Sequence, residues 1–280
     1  MTDMALALAI DFGKTRLKLA LVDRSGQITA QSEYSSAGFK SSEEVTEAIV
    51  TGVNEHLRPP PESVVGIGVG ATGSIDTTSG VIKTSGSLAY LRDYNICAQL
   101  ESALGWHANA VNDVSAAALG EAVYGYYGSE SRLAFLSIAT GVGMALVRRR
   151  KVDFGATGSL GLISGIKLPP DGRAVKELLG GKAISNDLRE DSAILEDAAS
   201  TTALLIAFIA GLCDPDVIVL GGGVWEGNAL LRNRALEKIP EFIGSSSTGL
   251  QLPIVKSSDL GDGAGLKGAA HLAFSQSAER

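Results

Sequence analysis

The 280-residue chain has 24 lysines and arginines against 31 aspartates and glutamates, a formal charge of -7, and 45% of its residues are hydrophobic. That length and apolar content suffice for a sizeable core, either in one large α/β domain or in two lobes. The acidic balance argues against broad electrostatic attraction to nucleic acid or to an anionic membrane. A small ligand bound at a local site remains compatible with this composition.

The N-terminal apolar run is short and is interrupted by Asp11, so it predicts neither a secretory signal nor a membrane span. We therefore expect a cytoplasmic protein. Cys97 and Cys213 lie far apart and have no histidine or cysteine close by in the sequence. They predict small buried apolar residues rather than a disulfide framework or a structural zinc site.

A β-hairpin is predicted over residues 6–23, where an apolar run ends at Asp11 and strand-like alternation resumes beyond a short turn. The turn consists of Gly13, Lys14 and Thr15. Its backbone N–H groups, hydroxyl and cation suit a phosphate chain, and the neighbouring carboxylate suits Mg²⁺, held directly or through water. A solvated hairpin with an aspartate at a strand end is the alternative, and this short motif alone does not decide between the two.

The chain continues with alternating strand and helix signals. A third strand over residues 28–34 completes an antiparallel meander, and a helix follows from Ser41 to about Leu57. Residues 64–70 form an apolar strand of the kind buried on both faces, which leads into a loop at 71–74. Loops at the carboxyl ends of such strands are where α/β sheets bind ligands.

A strand-to-helix junction in the middle of the chain carries a carboxylate. After a helix around 96–104, a strand over 107–113 ends in Asn112 and Asp113. A helix of small residues follows, with Ser115 as the candidate cap. A structural role for the aspartate at the helix N-terminus is the alternative to a chemical one.

A second hairpin repeats the pattern of the first. An apolar strand over residues 133–140 is closed by Thr140, Gly141 and Gly143, and a strand resumes over 144–147. Two such hairpins facing one another would hold a triphosphate between two lobes.

A glycine triplet follows the next buried strand. Residues 192–212 predict a long buried helix, and the strand at 217–220 runs into Gly221, Gly222 and Gly223. Three glycines permit close backbone approach by a flat or phosphorylated ligand, although a plain tight turn is a fair alternative. Helices over residues 228–238 and 263–274 and a strand over 252–256 complete the chain.

Six segments, in this order, resemble the ROK family (repressor, open reading frame, kinase) of sugar kinases within the actin-like ATPase superfamily. They are the hairpin at 11–18, VGATGSIDTTSGVI at 69–82, VNDVSAAALGE at 111–121, SIATGVG at 137–143, DPDVIVLGGGV at 214–224 and LGDGAGLKGAA at 260–270. The resemblance implies an α/β fold of two ribonuclease-H-like lobes, with ATP, Mg²⁺ and sugar in a central interlobe cleft. It places the N-terminal lobe at residues 1–113 and the C-terminal lobe at 114–262, with a last helix at about 263–280 packing back on the first lobe.

The resemblance also implies the kinase branch of the family. Regulators of this family carry an N-terminal helix-turn-helix, and the first phosphate-binding strand begins almost at Met1, so we expect no such segment. By analogy with the family we expect a homo-oligomer, in the form of a dimer, whose ligands are a small sugar and a nucleotide.

The family's site residues carry over position by position. The resemblance implies ATP-dependent phosphorylation of a sugar hydroxyl, with Asp113 as the general base that takes the hydroxyl proton and Asp11 positioning Mg²⁺. The sugar ligands would be Asn112, Gly73, Glu177 and Ser87, the last standing where the family has an asparagine. The nucleotide ligands would be Gly13, Lys14, Thr15, Thr140, Gly141 and Gly143 for the phosphates and Gly221, Gly222 and Gly223 beside the adenosine.

The chain departs from the family in the sugar pocket. Family sugar kinases have a G-E-x-G-H segment followed by a cysteine-rich zinc loop, whereas this chain has Leu162 and Gly165 at the glutamate and histidine positions and no cysteine in the stretch that follows, PPDGRAVKELLGGKAIS. Each lost charge-assisted hydrogen bond costs roughly 1.5 to 3 kcal/mol. We therefore expect no zinc site and a specificity altered from glucose; a catalytically weak or inactive sugar or nucleotide sensor is the alternative, and polyphosphate as donor stays open.

Overall fold

The computed structural model describes residues 5–86, 88–125, 127, 131–184, 192–243 and 249–277. The strands are β1 Leu6–Phe12, β2 Arg16–Asp23, β3 Ile28–Ser35, β4 Val64–Ala71, β5 Ser74–Asp76, β6 Val81–Thr84, β7 Tyr94–Asn95, β8 Ala108–Asn112, β9 Arg132–Ile138, β10 Val142–Arg148, β11 Lys151–Asp153, β12 Lys167–Leu168, β13 Arg173–Ala174, β14 Val217–Gly221 and β15 Ile254–Ser257. The helices are α1 Ser42–Gly52, α2 Ile96–Leu104, α3 Asp113–Tyr124, α4 Val175–Leu179, α5 Ala193–Cys213, α6 Gly223–Gly227, α7 Ala229–Phe242 and α8 Ala264–Ser277.

The chain divides into two compact units. Unit 1 comprises Met1–Tyr127 and Gly263–Arg280, and unit 2 comprises Gly128–Asp262. The sequence-based boundary after residue 113 falls within the first turn of α3, whereas the whole helix belongs to unit 1, because it packs most extensively on α8 of the same unit.

Unit 1 is built on a five-stranded sheet in the order β3-β2-β1-β4-β8. Strands β1, β2 and β3 form the antiparallel meander, and β4 and β8 run parallel to β1. One face of the sheet packs on α1 and α2 through a core of leucine, isoleucine and valine side chains. The other face carries alanines of β1 and β2, which pack on the alanine-rich side of α8.

Helix α8 lies unusually close to the backbones of its neighbours. A β-carbon added to Gly68 in β4 would lie 1.7 Å from the carbonyl oxygen of Ala269, and one added to Gly268 would lie 1.7 Å from that of Ala116 in α3. Such distances leave no room for any side chain, and backbone atoms have little freedom to give way. The glycines therefore fix how α8 sits against both β4 and α3.

Unit 2 repeats the strand order of unit 1. Its sheet runs β11-β10-β9-β14-β15, with β9, β10 and β11 antiparallel and β14 and β15 parallel to β9. Helices α5 and α7 pack on one another and contribute to the core of this unit, as does the fully buried Trp225. By length and composition alone α5 is apolar enough to cross a membrane, but 61% of the relevant stretch is buried inside the structure, and a buried core helix meets the same criterion.

The main elements expected from the sequence are present, and the α/β class is confirmed. Helix α3 begins earlier than the sequence suggested, because Asn112 rather than Ser115 is its N-cap and accepts a hydrogen bond from the Val114 backbone N–H. Ser115 lies inside the first turn and is buried. The short strands β5, β6 and β7 form a separate small sheet, which hydrophobic periodicity over two or three residues does not reveal.

The close approach of α8 gives a first prediction. We expect Gly68→Ala to lower the free energy of unfolding by about 2 kcal/mol or more, because the added methyl group meets the Ala269 carbonyl. Gly38→Ala is the matched control, since nothing lies within 4 Å of an added β-carbon there. Urea denaturation of both variants measures the difference; equal stability of the two would show that α8 does not lie as described.

Candidate active site

The candidate residues of unit 1 lie at the carboxyl ends of its parallel strands. Ala71 of β4 pairs with Phe12 of β1 on one side and with Asn112 of β8 on the other. Asp11 and Asp113 are therefore about two strand spacings apart along the same edge of the sheet, roughly 10 Å between their backbones. The geometry places the turn after β1, the loop after β4 and the junction after β8 at one edge.

The turn between β1 and β2 is fixed by a residue that sequence reasoning missed. The Ser36 hydroxyl donates to the Gly13 carbonyl at 2.8 Å, and the Ser36 backbone N–H donates to the Thr15 carbonyl at 3.1 Å. Lys14 is half-buried and Thr15 is exposed. Ser36 follows β3, the strand that ends beside this turn, and that position in the meander was the signal that could have identified it.

Asn112 joins the start of α3 to the loop after β4. Its side-chain oxygen accepts from the Val114 N–H at 2.9 Å, and its amide nitrogen donates to the Gly73 carbonyl at 2.7 Å. Gly73 adopts φ +116, and a β-carbon there would lie 2.3 Å from the Thr84 carbonyl, so only glycine fits. An amide has two N–H donors, and the structure uses one of them here, which leaves one for a ligand. The remaining sugar position expected nearby, Ser87, lies outside the described residues.

Asp113 is the first residue of α3 and its carboxylate lies in a partly enclosed position. It accepts a hydrogen bond from the Val114 N–H at 2.9 Å, which is shared with Asn112. Although the residue keeps some solvent exposure, burial of the carboxyl raises its pKa, and this effect outweighs the hydrogen bonds from Val114, from its own backbone and from Asn112, which lower the pKa. A raised pKa in a carboxyl at a strand end is a feature of groups that exchange protons during a reaction.

The second candidate turn, between β9 and β10, is in contact with two adjacent glycines of the same unit, Gly180 and Gly181. The Gly181 N–H donates to the Ala139 carbonyl at 2.9 Å, and a β-carbon on Gly180 would lie 3.0 Å from the Thr140 carbonyl. Thr140 and Gly141 are exposed at the tip of the turn, and Gly143 lies on the following strand, paired with Ser137. The sequence did not single out the 180–181 segment, although its two adjacent glycines were a visible signal.

The glycine triplet has a partly structural explanation. A β-carbon on Gly221 would lie 2.6 Å from the Phe135 ring, and Gly222 adopts φ +96 with its added β-carbon 2.6 Å from the Ile138 carbonyl. Packing within unit 2 therefore requires these two glycines with or without a ligand. Gly223 has open space around it and is exposed, so it is the member of the triplet that packing does not account for.

The segment that departs from the family pattern presents apolar groups. Leu162 is 52% exposed, and an added β-carbon on Gly165 would meet nothing within 4 Å. Between them, the Ser164 hydroxyl accepts from the Val142 N–H at 3.4 Å, which ties the segment to β10. Glu177 accepts a hydrogen bond from the Ala174 N–H at 2.8 Å and so caps its own helix, α4; its role as a sugar ligand stays a prediction.

The arrangement of potential metal ligands among the described residues suits an ion that is bound by only one or two protein side chains. Within the described ranges, no group of three or more histidine, cysteine, aspartate or glutamate side chains is placed to hold a metal ion. Mg²⁺ is usually bound by one or two carboxylates together with substrate phosphates and water, so the partly exposed carboxylate of Asp11 fits that ion. Of the two cysteines, Cys97 is buried, which raises its pKa to about 12, and Cys213 is half-buried. Burial raises the pKa of the Cys213 thiol as well.

Solved structures share this fold. A ROK family glucokinase from Streptomyces griseus, in complex with glucose and AMPPNP, superposes with a TM-score of 0.81 at 21% sequence identity, over 97% of this chain and 100% of that one. The chain thus has the two-lobed actin-like ATPase fold. The family model of the ROK family matches residues 7–175 and 173–276, and the chain belongs to that family.

Curated relatives extend the likeness to named enzymes. The chain is 28% identical to the bifunctional enzyme NanE/NanK of Brucella melitensis over 95% of its own length, and spans about half (53%) of that relative. It is 26% identical to the N-acetylmannosamine kinase of Salmonella arizonae, over 95% of this chain and 97% of that protein. The resemblance found in the sequence is confirmed at the level of the family.

The raised pKa of Asp113 gives a second prediction. Because the folded protein holds this proton more tightly than the unfolded chain, the contribution of Asp113 to stability is full below its ordinary pKa of 3.8 and is lost as the pH rises through the folded-state value. We therefore expect Asp113→Asn to increase the free energy of unfolding at pH 7, with the gain shrinking as the pH falls toward 4. Urea denaturation at a series of pH values measures it.

Asp76→Asn is the control of opposite sign for this prediction. Hydrogen bonds from the Thr78 and Ser79 backbone N–H groups and the Ser79 hydroxyl lower the pKa of Asp76, so its ionised form stabilises the fold above pH 3.8. Its neutral variant is expected to lose stability at pH 7. A loss of stability in Asp113→Asn as well would contradict the assignment of a buried carboxyl with a raised pKa.

Proposed function

We propose that this protein is a carbohydrate kinase, which transfers the γ-phosphoryl group of ATP to a hydroxyl of a sugar or sugar derivative. The observation that carries the proposal is the position of Asp113, a carboxylate with a raised pKa at the carboxyl edge of the unit 1 sheet. Family membership and the relatives named as sugar kinases support it. A soluble sugar kinase would act in the cytoplasm.

The proposed reaction uses Asp113 as the general base. The sugar hydroxyl oxygen attacks the γ-phosphorus, its proton passes to the Asp113 carboxylate, and the bond to the bridging oxygen of ADP breaks. Asn112, which the Gly73 carbonyl and the Val114 N–H hold in place, offers its second N–H to a sugar hydroxyl. The bond to the Val114 N–H also lies in the first turn of α3, so the base and the sugar ligand belong to one hydrogen-bonded segment.

The proposed nucleotide contacts are the two glycine-containing turns, one in each unit. In unit 1, backbone N–H groups at Lys14 and Thr15 and the cation of Lys14 suit the phosphates. In unit 2 the exposed turn tip at Thr140 and Gly141 serves the same purpose. When bound, Mg²⁺ would neutralise charge on the phosphates, with Asp11 as the carboxylate nearest to it.

We propose that the acceptor is a sugar other than glucose, because this chain lacks two of the groups that bind sugar hydroxyls in the family pattern. The exposed apolar Leu162 and the bare Gly165 replace the acidic and imidazole groups that bind hydroxyls in the family pattern. Relatives named N-acetylmannosamine kinase match over nearly the whole chain, so N-acetylated amino sugars are the first acceptors to test.

The direct test is ADP release with a panel of acceptors. We expect turnover with at least one of glucose, mannose, N-acetylglucosamine and N-acetylmannosamine, and a fall of about 10²–10⁴ in kcat for Asp113→Ala, because the base is lost. Binding of ATP by that variant, measured by calorimetry, should stay close to that of the unaltered protein. Replacing ATP with polyphosphate in the same assay identifies the donor.

The control is Glu55→Ala, which removes an exposed carboxylate of unit 1 from the segment after α1. Its turnover should equal that of the unaltered protein. ATP binding combined with silence on every acceptor would reject the kinase and favour the non-catalytic sensor. Full turnover in Asp113→Ala would reject the assignment of the base.

A further prediction concerns specificity. The double variant Leu162→Glu with Gly165→His should fold, because both positions face open space, and should increase kcat/KM for glucose roughly 10-fold or more through the restored hydrogen bonds. Coupled assays with glucose and N-acetylmannosamine measure the ratio of the two constants. Leu162→Gln with Gly165→Ala is the control, and an unchanged ratio in the first variant would show that this segment does not contact the acceptor.

A further inference from the structure

The first turn of α8 lies directly against the carboxylate of Asp11. A β-carbon added to Gly265 would lie 2.8 Å from Oδ2 of Asp11, 2.9 Å from its Cγ and 3.2 Å from its Oδ1. All three atoms of the carboxylate thus occupy the space that a side chain at residue 265 would fill. Among the glycines that the structure describes, this is the one whose β-carbon would meet a carboxylate within 3 Å.

Other glycines near this helix terminus have different explanations. Gly268 is required by the close carbonyl of Ala116, and Gly263, just before the helix, has nothing within 4 Å of its added β-carbon. Helix packing therefore accounts for Gly268 but not for Gly265. The missing side chain at residue 265 instead leaves room for the carboxylate of Asp11, which belongs to β1.

The surroundings of Asp11 favour a negative charge. The N-terminus of a helix carries a partial positive charge that stabilises an anion within its first turn, and α8 is 14 residues long. The β1–β2 register places Lys18 directly opposite Asp11, and Lys18 is only 3% exposed. A buried ammonium group requires a negative partner nearby, and directly opposed side chains in an antiparallel pair lie on the same face.

We propose that Gly265 is a positioning residue for Asp11: its missing side chain lets the carboxylate lie against the first turn of α8, and that location sets where Asp11 meets the Mg²⁺ of the nucleotide. The part that concerns Mg²⁺ rests on the function proposed above. The contact between Gly265 and Asp11 is independent of that function. Residue 265 thereby serves the phosphate-binding edge of the sheet although it offers no functional group of its own.

A double-mutant cycle tests the contact. Gly265→Ala is expected to lower the urea midpoint of the unaltered protein, because the methyl group displaces the carboxylate. In the Asp11→Ala background the same change is expected to leave the midpoint equal or higher, since the space is then empty and alanine is the better helix former. Gly263→Ala is the matched control and should behave alike in both backgrounds.

Calorimetry of nucleotide binding tests the consequence. For Gly265→Ala we expect ATP affinity in the presence of Mg²⁺ to fall about tenfold or more, the size typical when a group that orients a metal ligand is altered, with affinity in EDTA unchanged. Gly263→Ala should keep both affinities.

The outcomes separate the two claims. Equal effects of Gly265→Ala in both backgrounds would overturn the positioning role. A coupled cycle with an unaltered Mg²⁺ dependence would overturn the link to the metal. A coupled cycle in a protein that binds no ATP at all would reject the proposed kinase while leaving Gly265 as the residue that positions Asp11.

Discussion

The contact of α8 with its neighbours is the constraint on which the site in unit 1 depends. This helix lies against β4 at Gly68 and against α3 at Gly120 and Gly268, so closely that only glycine fits at each crossing. Helix α3 begins with Asp113 and β1 ends beside Asp11, so both carboxylates belong to elements that α8 touches. Close packing of this kind leaves little freedom for adjustment. The position of α8 therefore helps to determine the positions of both carboxylates.

The two units repeat one sheet design and place a glycine-containing turn in the same part of it. Each begins with an antiparallel meander of three strands, and each adds two parallel strands on the other side of the first. The turn after β1 is held by Ser36, and the turn after β9 is held by Gly181. A turn of the same kind thus follows the first strand of each sheet, and each turn offers backbone N–H groups of the type that bind phosphate.

Much of this organisation was predictable from the sequence. Long elements with regular periodicity, such as β1, β4 and α5, were recognised because burial on one or both faces dictates their residue pattern. Asp113 stood out because a carboxylate at a strand-to-helix junction is chemically conspicuous. The ordered set of six motifs then identified the family.

The parts that were missed depend on contacts between distant segments. The N-cap of α3 is Asn112 because its amide also reaches the Gly73 carbonyl, 39 residues earlier in the chain, and no local pattern contains that fact. The assignment of α3 to unit 1 follows from its packing on α8, which lies about 150 residues later. Gly265 looks like an ordinary helix glycine until the carboxylate beside it is seen.

The most direct measurement of the central claim is a crystal structure with AMPPNP, Mg²⁺ and the acceptor identified by turnover. The account predicts a carboxylate oxygen of Asp113 within hydrogen-bond reach of the acceptor hydroxyl, about 2.6–3.2 Å, with that hydroxyl directed at the γ-phosphorus. An acceptor bound elsewhere, with Asp113 facing only the first turn of α3, would contradict it.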